Sequence, residues 1–198
     1  MRHPSPKLEM PPCVIDIEAS GFGTGSYPIE VGAVLGDGSA YCSLIAPEPN
    51  WDHWQPSAEA THGISRETLR EHGKPALTVA LALNALLRGC TVYTDAWYHD
   101  YQWLARLFDA ADTQPTFKLE DMRKLLDDAA QARWHATREH VAETLHLTRH
   151  RATNDAKVLQ QTLLEVLGMP AAAGRRQASL RRHKFTPRPG GCRGQNAS

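Results

Sequence analysis

Apolar and polar positions alternate along three segments in the first quarter of the chain. A period of two is typical of strands with one buried face, and it covers residues 13–18, 27–35 and 40–46. The turn sequence at residues 36–39 (GDGS) joins the last two segments and contains the Asp-Gly pair that favours a hairpin. The short connections predict an antiparallel meander of three strands at the start of the fold.

From residue 57 onward the apolar period becomes that of helices. Short helices are predicted to begin at Ser57 and Ser65, and residues 76–88 are apolar almost all round, which predicts a buried helix. The other predicted elements are a strand at Thr91–Thr94, a helix at 99–111, a short extended piece at 116–118, and helices at 120–129, 131–147 and Ala152–Leu167. This order predicts an α/β fold with helices packed on a mixed sheet.

The first strand carries two acids on one face. Asp16 and Glu18 lie two residues apart, so their side chains point the same way, about 7 Å apart, while Ile15 and Ile17 point to the opposite face. Neighbouring carboxylates in an apolar strand repel each other and are costly to desolvate. A bound divalent cation is the best candidate to compensate them.

Two predicted helices each begin with an acid in line with their buried stripe. Asp100 lies three residues before Trp103, and Asp155 lies three residues before Val158. Either acid alone is explained by the favourable helix dipole at a first turn. Together with the acids of the first strand they indicate one acidic site near the sheet, which His150 can reach from a loop.

The net charge of zero is unevenly distributed. All 22 acids lie between Glu9 and Glu165, whereas residues 171–198 contain seven basic residues and no acid. The division predicts a flexible N-terminus at 1–11, a folded domain at 12–170 and a disordered basic tail beyond it. Such a tail either contacts phosphate backbones or is a solvated end.

The sequence shows no pattern for export or membrane insertion. The N-terminus lacks the apolar core of a signal peptide, and no apolar run reaches transmembrane length. The four cysteines have no CxxC spacing, which favours reduced thiols. These features predict a cytoplasmic protein without a membrane partner.

Four short segments carry a family resemblance. They are residues 16–21 (DIEASG), 29–33 (IEVGA), 61–64 (THGI) and 150–155 (HRATND). Together they resemble motifs of the DEDD exonucleases of the histidine subtype. This ribonuclease H-like group contains ribonuclease T, oligoribonuclease and the proofreading epsilon subunit of DNA polymerase III.

The resemblance implies a fold, a reaction and a set of ligands. The fold would be ribonuclease H-like, with a mixed five-stranded sheet that begins with the antiparallel meander and is flanked by helices. The reaction would be 3′–5′ exonuclease hydrolysis of single-stranded DNA or RNA, which releases nucleoside monophosphates. Asp16, Glu18, Asp100 and Asp155 would hold two Mg²⁺ ions, with Mn²⁺ as a substitute, and His150 would be the general base.

Substrate contacts are expected from two segments. The first is Ala19, Ser20, Gly21 and Phe22, and the second is His62, Gly63 and Ile64. Backbone amides of the first segment are expected to meet the terminal nucleotide, and Phe22 is expected either to stack on a base or to pack on the core. The expected partner is therefore the 3′ end of a single strand, and a homodimer is left open.

The middle motif departs from the resemblance. Where the family commonly reads His-Asn-Ala-x-Phe-Asp, residues 94–100 read TDAWYHD. We prefer Asp100 over Asp95 as the metal ligand because Asp100 opens a helix. Asp95 then has a supporting or substrate-contacting role. The departure leaves a catalytically weak or inactive nucleic-acid-binding protein as the alternative. The lack of an HExxH motif opposes a zinc site, and Glu18 opposes an aspartate phosphatase.

Overall fold

The computed structural model describes residues 8–170, which form one five-stranded sheet and its flanking helices. The strands are β1 (Cys13–Ala19), β2 (Pro28–Val34), β3 (Ala40–Leu44), β4 (Thr91–Thr94) and β5 (Lys118–Asp121). The helices are α1 (Pro56–His62), α2 (Arg66–His72), α3 (Ala76–Leu87), α4 (Trp97–Ala110), α5 (Asp128–Leu145) and α6 (Ala152–Leu167), with a 3₁₀ helix at Met122–Leu125.

The strand order is β3-β2-β1-β4-β5. β1, β2 and β3 pair antiparallel, β4 runs parallel to β1, and β5 runs parallel to β4. The predicted α/β fold, with its meander and mixed five-stranded sheet, is confirmed. Because β1 and β4 are parallel neighbours, their carboxyl ends lie at the same edge of the sheet, and side chains that follow them can meet there.

The sheet is covered on both faces. One face, with Ile15 and Ile17 of β1, packs against α3 and α4. On the other face Val14 and Val34 pack against α6. Gly32 of β2 permits this approach, because a Cβ atom there would overlap the backbone at the start of α6.

The prediction of a helix at 120–129 is wrong. Residues 118–121 form β5 and pair with β4, the 3₁₀ helix follows, and α5 begins only at Asp128. Glu120 and Lys124 are good helix formers, but pairing with a neighbouring strand outweighs their small intrinsic preference. Glu120 instead forms ion pairs with Lys118 and Lys124 across this turn.

The prediction that the helix at 76–88 is buried all round is also wrong. Val79 and Leu83 of α3 are fully buried, but Leu77, Leu81 and Leu86 remain 50, 53 and 41% exposed. The helix lies in the outer layer, so only one of its sides reaches the sheet and α4. An all-apolar composition thus did not distinguish a half-covered helix from an enclosed one.

The remaining predictions concern the two ends of the chain, the cysteines and membrane-spanning helices. Residues 1–7 and the basic tail at 171–198, with Cys192, lie outside the described residues. Leu8, in the segment predicted to be flexible, packs against the cluster that contains Leu125 and Leu163. The three described cysteines are free thiols. Between residues 8 and 170, no helix is both long and apolar enough to cross a membrane.

Candidate active site

The acids of β1 face α6. Asp16 and Glu18 are half-buried on the face opposite Ile15 and Ile17, as alternation along a strand requires. In the ladder with β2, Asp16 lies across from Gly32 and Glu18 lies across from Glu30. The first strand therefore presents both carboxylates toward the N-terminus of α6, which approaches over the glycine.

The segment before α6 and its first turn supply the third acid and a histidine. One ligand atom each of Glu18, His150 and Asp155 lies within 4.8 Å of the other two. His150 has a left-handed backbone conformation, with φ of 57°, immediately before the helix begins. This sharp turn lets a residue five positions before Asp155 place its side chain beside the same carboxylates. Asp16 and Asp100 lie outside that group of three.

The first turn of α4 buries Asp100. Its side chain is only 1% exposed, and the Thr94 hydroxyl at the end of β4 donates a hydrogen bond to its Oδ2. Asp95 has a different environment, since its Oδ2 accepts a hydrogen bond from Arg138 Nη1 at 2.9 Å. Within residues 8–170, no cationic side chain pairs with Asp100. In the middle motif, Asp95 is therefore the acid that pairs with a cation, and Asp100 is the acid that does not.

The pKa values of the four acids are raised by burial and, for Asp16, Glu18 and Asp100, also by other acids of the group. Burial is the largest cause and raises the pKa of Glu18 to about 7 and that of Asp100 to about 8. Burial, then the charges of Asp100, Glu18 and Asp155, hold the pKa of Asp16 well above its usual range. The pKa of Asp155 is also raised by burial, although His150 and Arg138 oppose the shift. Such mutual repulsion is what a divalent cation would relieve.

Metal-free protein is expected to lose stability as the pH rises from 6 to 8.5. An acid whose pKa is higher in the folded state than in the unfolded state binds its proton preferentially in the folded state. Its stabilising effect is therefore present at low pH and is lost as the pH rises through the folded value. Because Asp100 is almost fully buried and has a pKa of about 8, it alone contributes about 2 kcal/mol to this fall.

Thermal unfolding in EDTA across this pH range measures the effect. We expect the midpoint to fall by several degrees, and Asp100→Asn should flatten the dependence. Adding Mg²⁺ at pH 8.5 should recover much of the loss, because bound cations replace the protons. A midpoint that is constant or rises with pH in EDTA would contradict this account of the acids.

An ion pair that the sequence did not reveal holds the start of α6. Glu30, fully buried in β2, accepts hydrogen bonds from Arg151 Nε at 3.1 Å and from the Ala152 backbone N–H at 2.9 Å. Arg151 follows His150 directly, so this pair holds the backbone immediately after the turn that carries the histidine. In the sequence, the signal for this pair is the single acid among the apolar residues of β2.

Replacing Arg151 is expected to destabilise the fold more than replacing Glu30. Arg151→Ala leaves the Glu30 carboxylate buried without its cation, which should lower the free energy of unfolding by about 3 kcal/mol. Glu30→Gln should cost less, because glutamine keeps an acceptor for Ala152 and removes the buried charge. Chemical denaturation measures both variants, with Lys118→Ala as control. The Lys118 ammonium lies in solvent beside Glu120, so its loss should cost much less stability than the loss of Arg151. An equal loss in the two variants would refute the distinction between the two ion pairs.

The first predicted substrate segment is tightly held. The Ser20 N–H donates to the Tyr27 carbonyl at 2.9 Å, and the Phe22 N–H donates to Gln55 Oε1 at 3.1 Å. Gln55 Nε2 also donates to the Phe22 carbonyl. These two backbone amides already have acceptors within the chain, so a nucleotide would have to replace those acceptors, and the expected nucleotide contact stays a prediction. The Phe22 side chain is 60% exposed, and its ring lies against His99 and the buried Trp103, with centroids 5.1 and 5.9 Å away.

The second predicted segment lies behind the first. His62 and Ile64 are buried, and Gly63 takes the left-handed conformation that ends α1. The Ile64 N–H donates to His62 Nδ1 at 3.0 Å, which leaves the proton on Nε2. Burial lowers the pKa of His62, so the ring is held neutral. Nε2 is buried and has no hydrogen-bond partner among the described residues.

Comparison with known proteins finds structural likeness without sequence likeness. No protein-family model matches the chain, and no curated protein sequence matches it. Escherichia coli exonuclease I in complex with a dA16 oligonucleotide aligns with a TM-score of 0.59 and 15% identity, over 77% of this chain and 40% of that chain. The zinc-bound form of the E. coli exonuclease I complex with single-stranded DNA aligns with a TM-score of 0.58 and 15% identity, over 78% and 40%.

Exonuclease I from Methylocaldum szegediense aligns with a TM-score of 0.55 and 11% identity, over 77% of this chain and 40% of that chain. The chain shares the fold of the aligned part of these exonuclease I structures. At these identities the likeness concerns the fold alone, and the chain spans about 40% of the length of the structures it matches.

Proposed function

We propose that this protein is a metal-dependent 3′–5′ exonuclease of the DEDD type, histidine subtype, that acts on single-stranded nucleic acid. The observation that carries the proposal is the convergence of Asp16, Glu18, Asp100, Asp155 and His150 from β1, α4 and the start of α6 at one edge of the sheet. The five side chains lie on three elements far apart in sequence. Core packing does not require acids at these positions.

The donor set fits divalent cations of the Mg²⁺ type. Hard cations prefer oxygen ligands, and four carboxylates supply them. Burial and then the charges of neighbouring acids raise the pKa values of Asp16, Glu18 and Asp100, and a bound cation would offset both effects. We assign the four acids to two Mg²⁺ or Mn²⁺ ions, with Asp16 as the acid most central to the cluster, since its pKa responds to the other three.

When bound, the two cations would activate a water molecule and stabilise the charge on the departing oxygen. His150 accepts a proton from the attacking water while the water oxygen forms a bond to phosphorus. The bond between phosphorus and the 3′ oxygen of the preceding nucleotide breaks, and that oxygen takes a proton from solvent. The products are a nucleoside monophosphate and a strand shorter by one nucleotide, and His150 then returns its proton to solvent.

The substrate end is assigned to the two segments beside the acids. Phe22, exposed next to the site, would stack on a base, while His62, Gly63 and Ile64 would form the wall behind Ala19, Ser20 and Gly21. The structural neighbours in complex with single-stranded oligonucleotides support a single strand as the substrate class here too.

Digestion of 5′-labelled single-stranded DNA and RNA tests the proposal. With Mg²⁺ or Mn²⁺ we expect a ladder of products shortened from the 3′ end, and with EDTA we expect none. A 3′-phosphate-blocked strand serves as the control for end dependence. If the purified protein shortens neither polymer with either metal, the exonuclease assignment fails and a non-catalytic binding protein becomes the better description.

A further inference from the structure

The first turn of α4 exposes aromatic rings around the buried Asp100. Tyr98 and Tyr101 are 66 and 52% exposed. The half-buried Trp97 stacks on Tyr101 with ring centroids 5.3 Å apart and an interplanar angle of 28°. The Trp97 indole N–H also donates to the Leu119 carbonyl of β5 at 3.4 Å. Trp97 is thus anchored to the sheet and backs the Tyr101 ring, about half of which is exposed.

Ring contacts connect this aromatic group to Phe22 beside the candidate active site. Tyr98 meets His99 edge to face at 5.3 Å, and His99 meets Phe22 edge to face at 5.1 Å. Asp100, one of the proposed metal ligands, lies in the same helical turn. A strand whose 3′ end reached Asp100 would therefore have Tyr98 and Tyr101 within reach of its preceding nucleotides.

Two exposed tyrosine rings side by side, one of them backed by a tryptophan, form a patch of the kind that marks an interaction site. Residues 8–170 hold 22 acids against 13 lysines and arginines, so their net charge is −9. This charge opposes phosphate backbones, and contacts to phosphate alone would not hold a strand on this domain. Stacking of bases on aromatic rings is insensitive to that charge and tolerates every base, because each base has a π face.

We propose that Trp97, Tyr98 and Tyr101 form an aromatic surface that stacks the bases of single-stranded nucleic acid on the 5′ side of the nucleotide held at the acids. The inference rests on the proposed function for the direction of the strand, and the stacking itself stands without it. Paired bases in a duplex are covered by their neighbours, so the surface selects single strands. The surface occupies the part of the chain where the middle motif departs from the family pattern.

Fluorescence anisotropy of a labelled single strand with the full chain in EDTA tests the proposal, because no cleavage occurs without metal. The double variant Tyr98→Ala/Tyr101→Ala is expected to bind a dT15 strand about tenfold more weakly or worse. The slope of log K against log salt should stay the same, because phosphate contacts are unchanged. Tyr98→Phe/Tyr101→Phe keeps the rings and should bind within about twofold of the parent.

Leu81→Ala is the matched control, since it removes a similarly exposed apolar side chain from α3 and should leave binding unchanged. Binding by the double alanine variant equal to that of the parent would overturn the proposal. So would equal losses in the alanine and phenylalanine variants, because ring faces would then be irrelevant. If the alanine variant altered only the sedimentation of the protein, the rings would serve self-association instead. A parent that binds single strands but cleaves none would sink the proposed function and leave this surface standing.

Discussion

Asp100→Ala is expected to abolish the shortening of single strands, with a rate at least about 10³-fold lower. Asp100 is buried, its pKa is raised to about 8, and its charge reaches Asp16. Removing it deletes one carboxylate from the proposed metal cage and leaves the Thr94 hydroxyl without its acceptor. Single-turnover digestion at saturating Mg²⁺ measures the loss, and Mn²⁺ titration followed by electron paramagnetic resonance should show fewer bound ions.

Asp95→Ala separates the two acids of the middle motif. Asp95 is neutralised by Arg138, so its loss should reduce the rate by about tenfold and leave the number of bound Mn²⁺ ions unchanged. Asn at position 95 should recover part of the activity, because its amide oxygen still accepts from Arg138. If Asp95→Ala abolished the reaction and Asp100→Ala did not, the assignment of the middle motif would be reversed.

His150→Asn is expected to lower kcat by about 10²- to 10⁴-fold, which is the usual contribution of a general base. Asparagine tolerates the left-handed backbone conformation at this position, so the change should remove the imidazole without straining the turn. KM should change little, because substrate contacts are assigned to other residues. Steady-state rates on a labelled single strand measure both parameters.

His146→Asn provides a control matched in backbone as well as in residue type. His146 also has a positive φ, 49° against 57° at His150, but it is exposed at the end of α5 and does not belong to the group of Glu18, His150 and Asp155. Its replacement should leave kcat within about twofold of the parent. A comparable loss in both variants would attribute the effect to the backbone of this region and would contradict a base role for His150.

The sequence predicted the parts of the fold that depend on local pattern. Alternation and a hairpin turn were enough for β1, β2 and β3, and the position of Asp155 ahead of a buried stripe was enough to place it inward. The segment at 120–129 failed because its residues favour a helix while the pairing of β5 with β4 depends on a contact that local pattern does not contain.

The candidate site, like the fold, could be predicted only where local pattern was informative. Its acids could be predicted because each stands at a recognisable place in an element, but the residues that hold them could not. Arg138 reaches Asp95 across 43 positions, and Arg151 reaches Glu30 across 121. Neither arginine belongs to a periodic pattern that would reveal its partner. Such long-range pairs become visible only when the elements have been assembled.

Gly32 sets the width of the proposed reaction centre. It lies directly across from Asp16 and beneath the backbone at the start of α6, where any Cβ atom would overlap Ala152 and Thr153. One methyl group there would push His150 and Asp155 away from the acids of β1 without removing a charge or a hydrogen-bonding group. The space that two cations and a phosphate would share therefore depends on position 32 having no side chain.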